Sequence, residues 1–474
     1  MDSKDRIVSL VEEKKDFFTN VSDRVWETPE LGFMEYKSAA TLMGALEAQG
    51  FKVEKGLAGI ETAFSGTWGS GKPVIAFLGE FDALPSLSQK AALGTKDPVG
   101  PGGNGHGCGH NILGAASMSA ATALKDYMSE KGVPGTVIYY GCPAEESGCG
   151  KTFMARDGVF DGCDVAITWH PGDTNSIMSG STLANIHVRF WFTGKAAHAA
   201  ASPHLGRSAL DAAEIMNIGV NFLREHVIPE ARIHYAFEDV GGGAPNVVQD
   251  SAQLLYFIRA PKNDQVMELY PRVVKCAEGA AHMTETQVRY EIITGLSDYI
   301  PNDTLAEVMS DCMQELGPQK FSDEARKVGD EMYATLTPAN IRSGIASLSG
   351  HMDPAKAPEK VKEKLIADPF PYVKSSYVMP GSTDVGDVSY VVPTVQCGAV
   401  TQVIGTPGHS WQVTAQSCSA LAHDGLVYGA ETMALTGLRL LEKPELIEKA
   451  KAEHFRATRG IYNCPIPKEV KPLP

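Results

Sequence analysis

Thr136-Val137-Ile138-Tyr139-Tyr140-Gly141-Cys142-Pro143-Ala144-Glu145-Glu146 is the stretch on which the fold turns. Its first seven residues are β-branched, aromatic or small and carry no charge, as in a strand buried on both faces. Two carboxylates follow at once. Working outward, Val74 to Gly79 is a second short apolar strand, followed by Glu80 and Asp82. Asp164 to Trp169 is a third, followed by His170. Asn111 to Met128, rich in Ala, Leu and Met, reads as a helix. Residues 6–20 and 36–49 read as two more, the second stopped by Gly50. Strands alternating with helices predict an α/β fold with a mostly parallel sheet and flanking helices.

The middle of the chain has another rhythm. Ile186 to Thr193, Arg232 to Glu238, Ala252 to Arg259 and Gln287 to Ile293 read as strands. Arg207 to Glu225 and Asp264 to His282 read as helices. The order β-α-β-β-α-β is ferredoxin-like. It predicts an inserted α+β domain over 182–295, with 1–181 and 296–474 forming the main domain. Beyond it, Pro301-Asn302-Asp303 opens a helix over 303–316, and residues 318–375 look charged and irregular. Val395 to Val403 reads as a strand interrupted at Gly398, and Ser417 to Leu441 as a long helix. The tail after Tyr462 reads as a surface strap.

Composition narrows the function classes. The 474 residues suffice for two or three domains with cores of their own. A net charge of -15 disfavours phosphate backbones and polybasic membrane contacts, so neither nucleic acid nor a membrane is an expected partner. The mixed charges of Met1-Asp2-Ser3-Lys4-Asp5-Arg6 are not a secretory leader, and no run approaches the roughly 18 apolar residues of a membrane span. A cytoplasmic location is expected. Nine cysteines over so long a chain are no disulfide framework; Cys276, Cys312 and Cys397 read as small buried hydrophobes.

Several strand ends carry groups able to bind metal or move protons. Gly102-Gly103-Asn104-Gly105-His106-Gly107-Cys108-Gly109-His110 fits neither common phosphate-loop pattern. Its glycines instead let Cys108 and His110 bend toward one centre. Thiolate with imidazole suits zinc, and added carboxylates admit manganese or cobalt. Glu145 and Glu146 read either as a solvated loop or as a pair with divided roles. In the second reading one binds metal and the other takes a proton from an activated water. His170 and His409, the latter in Gly405-Thr406-Pro407-Gly408-His409-Ser410, complete the set. Each alone reads more often as a structural histidine than as a ligand.

Taken in order, the motifs resemble the dinuclear metallopeptidases that include aminoacylases and carboxypeptidase G. The matching elements are G-E-F-D-A-L-P at 79–85, G-C-G-H at 107–110 and P-A-E-E at 143–146. T-W-H-P at 168–171, F-T-G-K-A-A-H-A at 192–199 and G-H-S at 408–410 follow. G-H-G-C-G-H-N at 105–111 and G-S-T-D-V-G-D-V-S at 381–389 are most similar to the p-aminobenzoyl-glutamate hydrolase branch; Asn111 stands where the wider subfamily has Asp.

The resemblance implies two divalent ions, manganese or zinc, on Cys108, His110, Glu146, His170 and His409. It implies Glu145 as general base, Asp82 as the carboxylate orienting a ligand, and His198 as the group polarising the substrate carbonyl. Asn246, Arg259 and Arg207 are the implied substrate contacts, and 182–295 the lid and dimerisation domain. The implied reaction is hydrolysis of an N-acyl amino acid, p-aminobenzoyl-glutamate above all. A broader N-acyl-amino-acid or dipeptide hydrolase is the alternative. The expected assembly is a homodimer, or a pairing with a related second subunit. A catalytically silent subunit is the reading from another class, and against it no implied ligand or base is missing.

Overall fold

The structure, a computed structural model, describes residues 2–472. Strands β1 (Lys52–Lys55), β2 (Phe64–Ser70), β3 (Val74–Glu80), β4 (Gly135–Cys142), β5 (Val165–Gly172) and β6 (Ser176–Ile177) come first. Then follow β7 (Ala184–Thr193), β8 (Arg232–Asp239), β9 (Ser251–Ala260), β10 (Gln287–Leu296) and β11 (Thr394–Val400). The large sheet has the order β1-β2-β4-β3-β5-β11-β6. Its centre, β4-β3-β5-β11, is parallel, and the flanking strands run antiparallel. The mostly parallel α/β sheet expected from the alternation is present. Four parallel strands put Glu80, Cys142, Gly172 and Val400 along one edge, where such sheets build sites.

Helices cover both faces. His110–Lys131 and Ala420–Glu442 pack on one face with Ser3–Glu12, Lys15–Trp26 and Asp303–Leu316. Gly150–Arg156, Val385–Val391 and the tail residues Ile466 and Val470 pack on the other. Trp169 anchors the first core: it is fully buried, and its indole N–H donates to the Leu113 carbonyl at 3.1 Å. Burial of so large a side chain contributes roughly 2–3 kcal/mol. No described helix is long and apolar enough to cross a membrane.

The second sheet, β10-β7-β9-β8, is antiparallel throughout, with Ala209–Leu223 and Asn263–Thr284 on one face. On the other face His187 lies flat against Phe257, ring centroids 3.6 Å apart and planes 8° apart. His187 Nε2 accepts from the Asn185 amide at 2.9 Å. Burial, then Arg259 nearby, push the His187 imidazole down to about 3. Its folded-state value lies below the ordinary 6.5, so protonation favours the unfolded chain, and stability falls as pH drops from 6.5 toward 3. At pH 5 the loss is at most about 2 kcal/mol. His187→Phe should flatten that acid slope in thermal melts of metal-free protein at pH 7 and 5. An unchanged slope would remove His187 from the account.

Four expectations are corrected. Residues 6–20 are two helices, not one, because the chain turns at Lys14. Lys14 Nζ is held there by Asp126 and Gln49, both at 2.6 Å, and both apolar stripes then reach the core. Arg207 does not start a helix; Ser208 caps one that begins at Ala209. Gly398 does not interrupt β11. Residues 318–375 are not irregular: Asp323–Tyr333, capped by Ser322, and Pro338–Ser349, capped by Thr337, are helices, followed by the short Ala357–Lys360.

Candidate metal centre

Each candidate ligand is set by a local feature. Gly109 caps the helix His110–Lys131 with φ +79°, a left-handed turn that an L side chain resists, and a Cβ there would press on Pro171. That turn places Cys108 and His110 on one side of the loop. Pro143 and Ala144 carry the chain from β4 to Glu145. Ala144 has φ +59°, and Glu35 Oε1 holds the turn by accepting from Ala144 N at 2.8 Å. His170 lies on the last residues of β5. His409, φ +50°, sits on a loop backed by the helix Pro338–Ser349, where Gly344 meets Gly405. Asp173 Oδ2 accepts from Gly405 N at 3.1 Å and pins the same loop.

These residues converge. Cys108, His110 and His170 each offer a donor atom within 4.8 Å of the others, and so do Cys108, Glu146 and His409. Cys108 Sγ is 3.5 Å from His170 Nε2, and His409 Nε2 is 3.4 Å from Glu146 Oε2. Asp82 ties the two loops: Oδ1 is 2.8 Å from His110 Nδ1, and Oδ2 accepts from Glu146 N at 2.9 Å. With Nδ1 so engaged, Nε2 is the nitrogen His110 has left for a metal. Glu145 is half-buried beside them, 4.0 Å from His110 Nε2.

The donor set fits metal ions. Donors at about 2.0–2.3 Å from one ion lie roughly 3–4.5 Å apart, as these do. His110 Nε2 and Glu146 Oε1 are buried with no hydrogen-bond partner, a costly state unless something else satisfies them. Burial pushes Cys108 above the usual thiol range and, with Glu80, Asp384 and Glu146 nearby, pushes Glu145 well above the usual carboxylate range. Glu146 is raised by burial too. Divalent cations would relieve this crowd of negative groups by displacing protons. Two groups sharing the Cys108 sulfur accommodate two ions.

A cavity of about 410 Å³ opens over the cluster, lined by Cys108, Glu145, Glu146, His170 and His409, with Asp173, Gln396, Ser382 and Thr383 on its walls. Arg259 Nη1 donates to Ser382 Oγ at 3.1 Å, while its Nε is buried without a partner. Burial also lowers the pKa of this guanidinium.

Other candidates stand apart from the cluster. His198 and Asn246 are exposed on loops of the second sheet and do not line the cavity. They are neighbours, since Ala199 N donates to the Asn246 carbonyl at 2.9 Å. Arg207 is engaged by Glu285 at 2.7 Å. Asn111 is buried, its amide donating to Ser22 Oγ at 3.0 Å and to the Ser417 carbonyl at 2.9 Å. An aspartate would present no donor to that carbonyl, so Asn111 suits this packing. Glu35 and Lys151 escaped the sequence reading because nothing local marks either residue as buried.

The comparisons with known proteins bear on this geometry. A profile of peptidase family M20/M25/M40 matches residues 76–339. One of the p-aminobenzoyl-glutamate hydrolase subunits of Escherichia coli (strain K12) is 45% identical over 99% of this chain and 98% of its own length. The other subunit of that hydrolase, from the same organism, is 27% identical over 68% of this chain and 75% of its own. Among solved structures, the Bacillus subtilis YXEP protein, a dinuclear metal binding peptidase from M20 family, superposes with a TM-score of 0.57 at 17% identity. The superposition covers 90% of this chain and 99% of that one. With more than half its length matched and a close relative along nearly all of it, the chain belongs to peptidase family M20/M25/M40 and is a metal-dependent hydrolase.

Proposed function

We propose that the chain hydrolyses the amide bond of an N-acyl amino acid, with p-aminobenzoyl-glutamate as substrate and two manganese or zinc ions as cofactor. The observation that carries the reading is the place of Glu145. It is half-buried at the cluster and lines the cavity, yet belongs to neither donor group that contains Cys108. A carboxylate so placed remains available for proton transfer. Cys108, His110, Glu146, His170 and His409 would hold the ions, with Asp82 orienting His110. When bound, the ions supply Lewis acidity and a water of lowered pKa.

Glu145 takes the proton of the attacking water and returns it to the nitrogen of the departing amine. His198 Nδ1 accepts from Ala200 N at 3.2 Å and Ala201 N at 3.1 Å, which leaves Nε2 as the ring's N–H donor. An N–H donor of this kind suits the carbonyl oxygen as negative charge develops there. Since His198 lies outside the cavity of its own chain, it serves the site of a second copy or of a related chain, with Asn246 beside it. The domain 182–295 is then the lid and assembly domain. A related partner chain is supported by the two E. coli relatives being named as different subunits of one hydrolase. The nine cysteines are all free, which suits a reducing cytoplasm.

Arg259, with an unpartnered Nε and no described ion pair, is the group for a substrate carboxylate. Arg207 is occupied by Glu285 and is a weaker candidate for that role. The test is a panel of p-aminobenzoyl-glutamate, other N-acyl amino acids and dipeptides, read by released amine. Metal-free protein is refilled with one metal at a time. p-Aminobenzoyl-glutamate should be cleaved fastest, and only with metal present. Arg259→Ala should raise KM for it about 10–100-fold, with a smaller change in kcat. A flat panel would move the reading to a broad N-acyl-amino-acid or dipeptide hydrolase. Silence with every metal would leave a non-catalytic subunit.

A further inference from the structure

Lys151 is fully buried in the first turn of the helix Gly150–Arg156. Its Nζ is 2.7 Å from Glu80 Oε1 and 2.5 Å from Asp384 Oδ1. Its backbone N–H donates to Asp384 Oδ2 at 2.8 Å. Both carboxylates are themselves buried, and no other lysine or arginine among the described residues pairs with either. Three charges held out of water this way are expensive, and a close-packed apolar trio would hold the loops as well. The arrangement therefore calls for a role beyond the fold.

Glu80 points to that role. Its second oxygen, Oε2, makes no hydrogen bond and lies 3.3 Å from His110 Nε2. Asp82 occupies the other ring nitrogen, so Nε2 can serve only one ion. Yet His110 belongs to two competing donor groups. One contains Cys108 and His170, the other Glu80 and Glu145. An ion drawn into the second group would take Glu145 as a ligand and remove it as a base.

We propose that Lys151 selects between these groups: with Asp384 it holds Glu80 by Oε1, keeps the ion at His110 on the Cys108 side, and leaves Glu145 free. A carboxylate already neutralised at 2.7 Å is a poorer ligand, and the ammonium repels any cation that approaches Glu80. Lys151 is a positioning residue, since it lines neither the cavity nor a donor group. The proposal rests on the two-ion reading above.

Cobalt(II) tests it, because a thiolate ligand gives cobalt a near-ultraviolet charge-transfer band that carboxylates and imidazoles do not. Metal-free wild type refilled with two equivalents should show the band; its absence there would count against the metal reading itself. In Lys151→Met the band should fall to about half at two bound equivalents, because the ion shared with Glu146 and His409 stays on Cys108. Turnover should fall at least 100-fold. Lys151→Met/Asp384→Asn removes one charge of each sign, lightens the burial of unpaired charge, and should behave alike. Lys151→Arg should keep most of the band. A Lys151→Met protein with native near-ultraviolet circular dichroism and a full band overturns the proposal. Loss of cobalt altogether, or a double variant that does not fold in cobalt, assigns the trio to the fold and overturns it too.

Discussion

Glu145→Gln should bind both ions as the wild type does and turn over roughly 10²–10⁴-fold more slowly. The substitution keeps shape and volume and removes only the ability to accept a proton. Glu145 is absent from both donor groups that share Cys108, so its loss leaves those groups intact. It also removes a carboxylate from a cluster that burial and Glu80, Asp384 and Glu146 already make costly to ionise. The folded protein should be no less stable for it. Metal content by atomic absorption, alongside kcat for p-aminobenzoyl-glutamate, separates the two effects. A variant that retains near-wild-type turnover ends the assignment of Glu145 as base. One that loses an ion would make it a ligand instead.

Cys108→Ser should have the largest effect on metal content. Cys108 Sγ is the atom common to the group with His110 and His170 and the group with Glu146 and His409. A hydroxyl at that place is far harder to deprotonate than a thiol and is a poor match for zinc. Both sites weaken at once, so zinc affinity should fall by more than about 100-fold, beyond the 10–100-fold typical of losing a residue that only supports a ligand. Turnover at micromolar zinc should fall below detection, and millimolar manganese should restore part of it, since the remaining imidazoles and carboxylate accept the harder ion. Equilibrium dialysis against zinc reads the first effect. Two zinc ions held at wild-type affinity would show that the thiol lies beside the ions without binding them.

Much of the fold was legible because its signals are local. β4 and β3 are apolar runs of β-branched, aromatic and small residues that end at charge, and a strand buried in a parallel sheet leaves little else possible. The helix His110–Lys131 is dense in alanine and begins beside a glycine. The misreadings also have physical causes. The turn at Lys14 contains no Gly or Pro and is held by distant partners, Gln49 and Asp126. In 318–375 the charged outer faces of two helices obscure apolar stripes that only make sense against the loop they cover.

The chain by itself determined the alternation of strands and helices, the second β-α-β-β-α-β unit, and which side chains had metal-binding chemistry near strand ends. Those follow from residue types and short spacings, which act through the backbone over a few residues. Only the tertiary structure decided which of those side chains share a centre. It brought Cys108, His110, Glu146, His170 and His409 together and left His198, Asn246 and Arg207 outside the cavity. It also made Glu35, Lys151 and Asp384 matter, because an ordinary charged residue becomes consequential once water is removed from it and one partner remains. Burial and partner choice depend on contacts between residues hundreds of positions apart along the chain, such as the Asn111 amide on the Ser417 carbonyl, and no local pattern carries them.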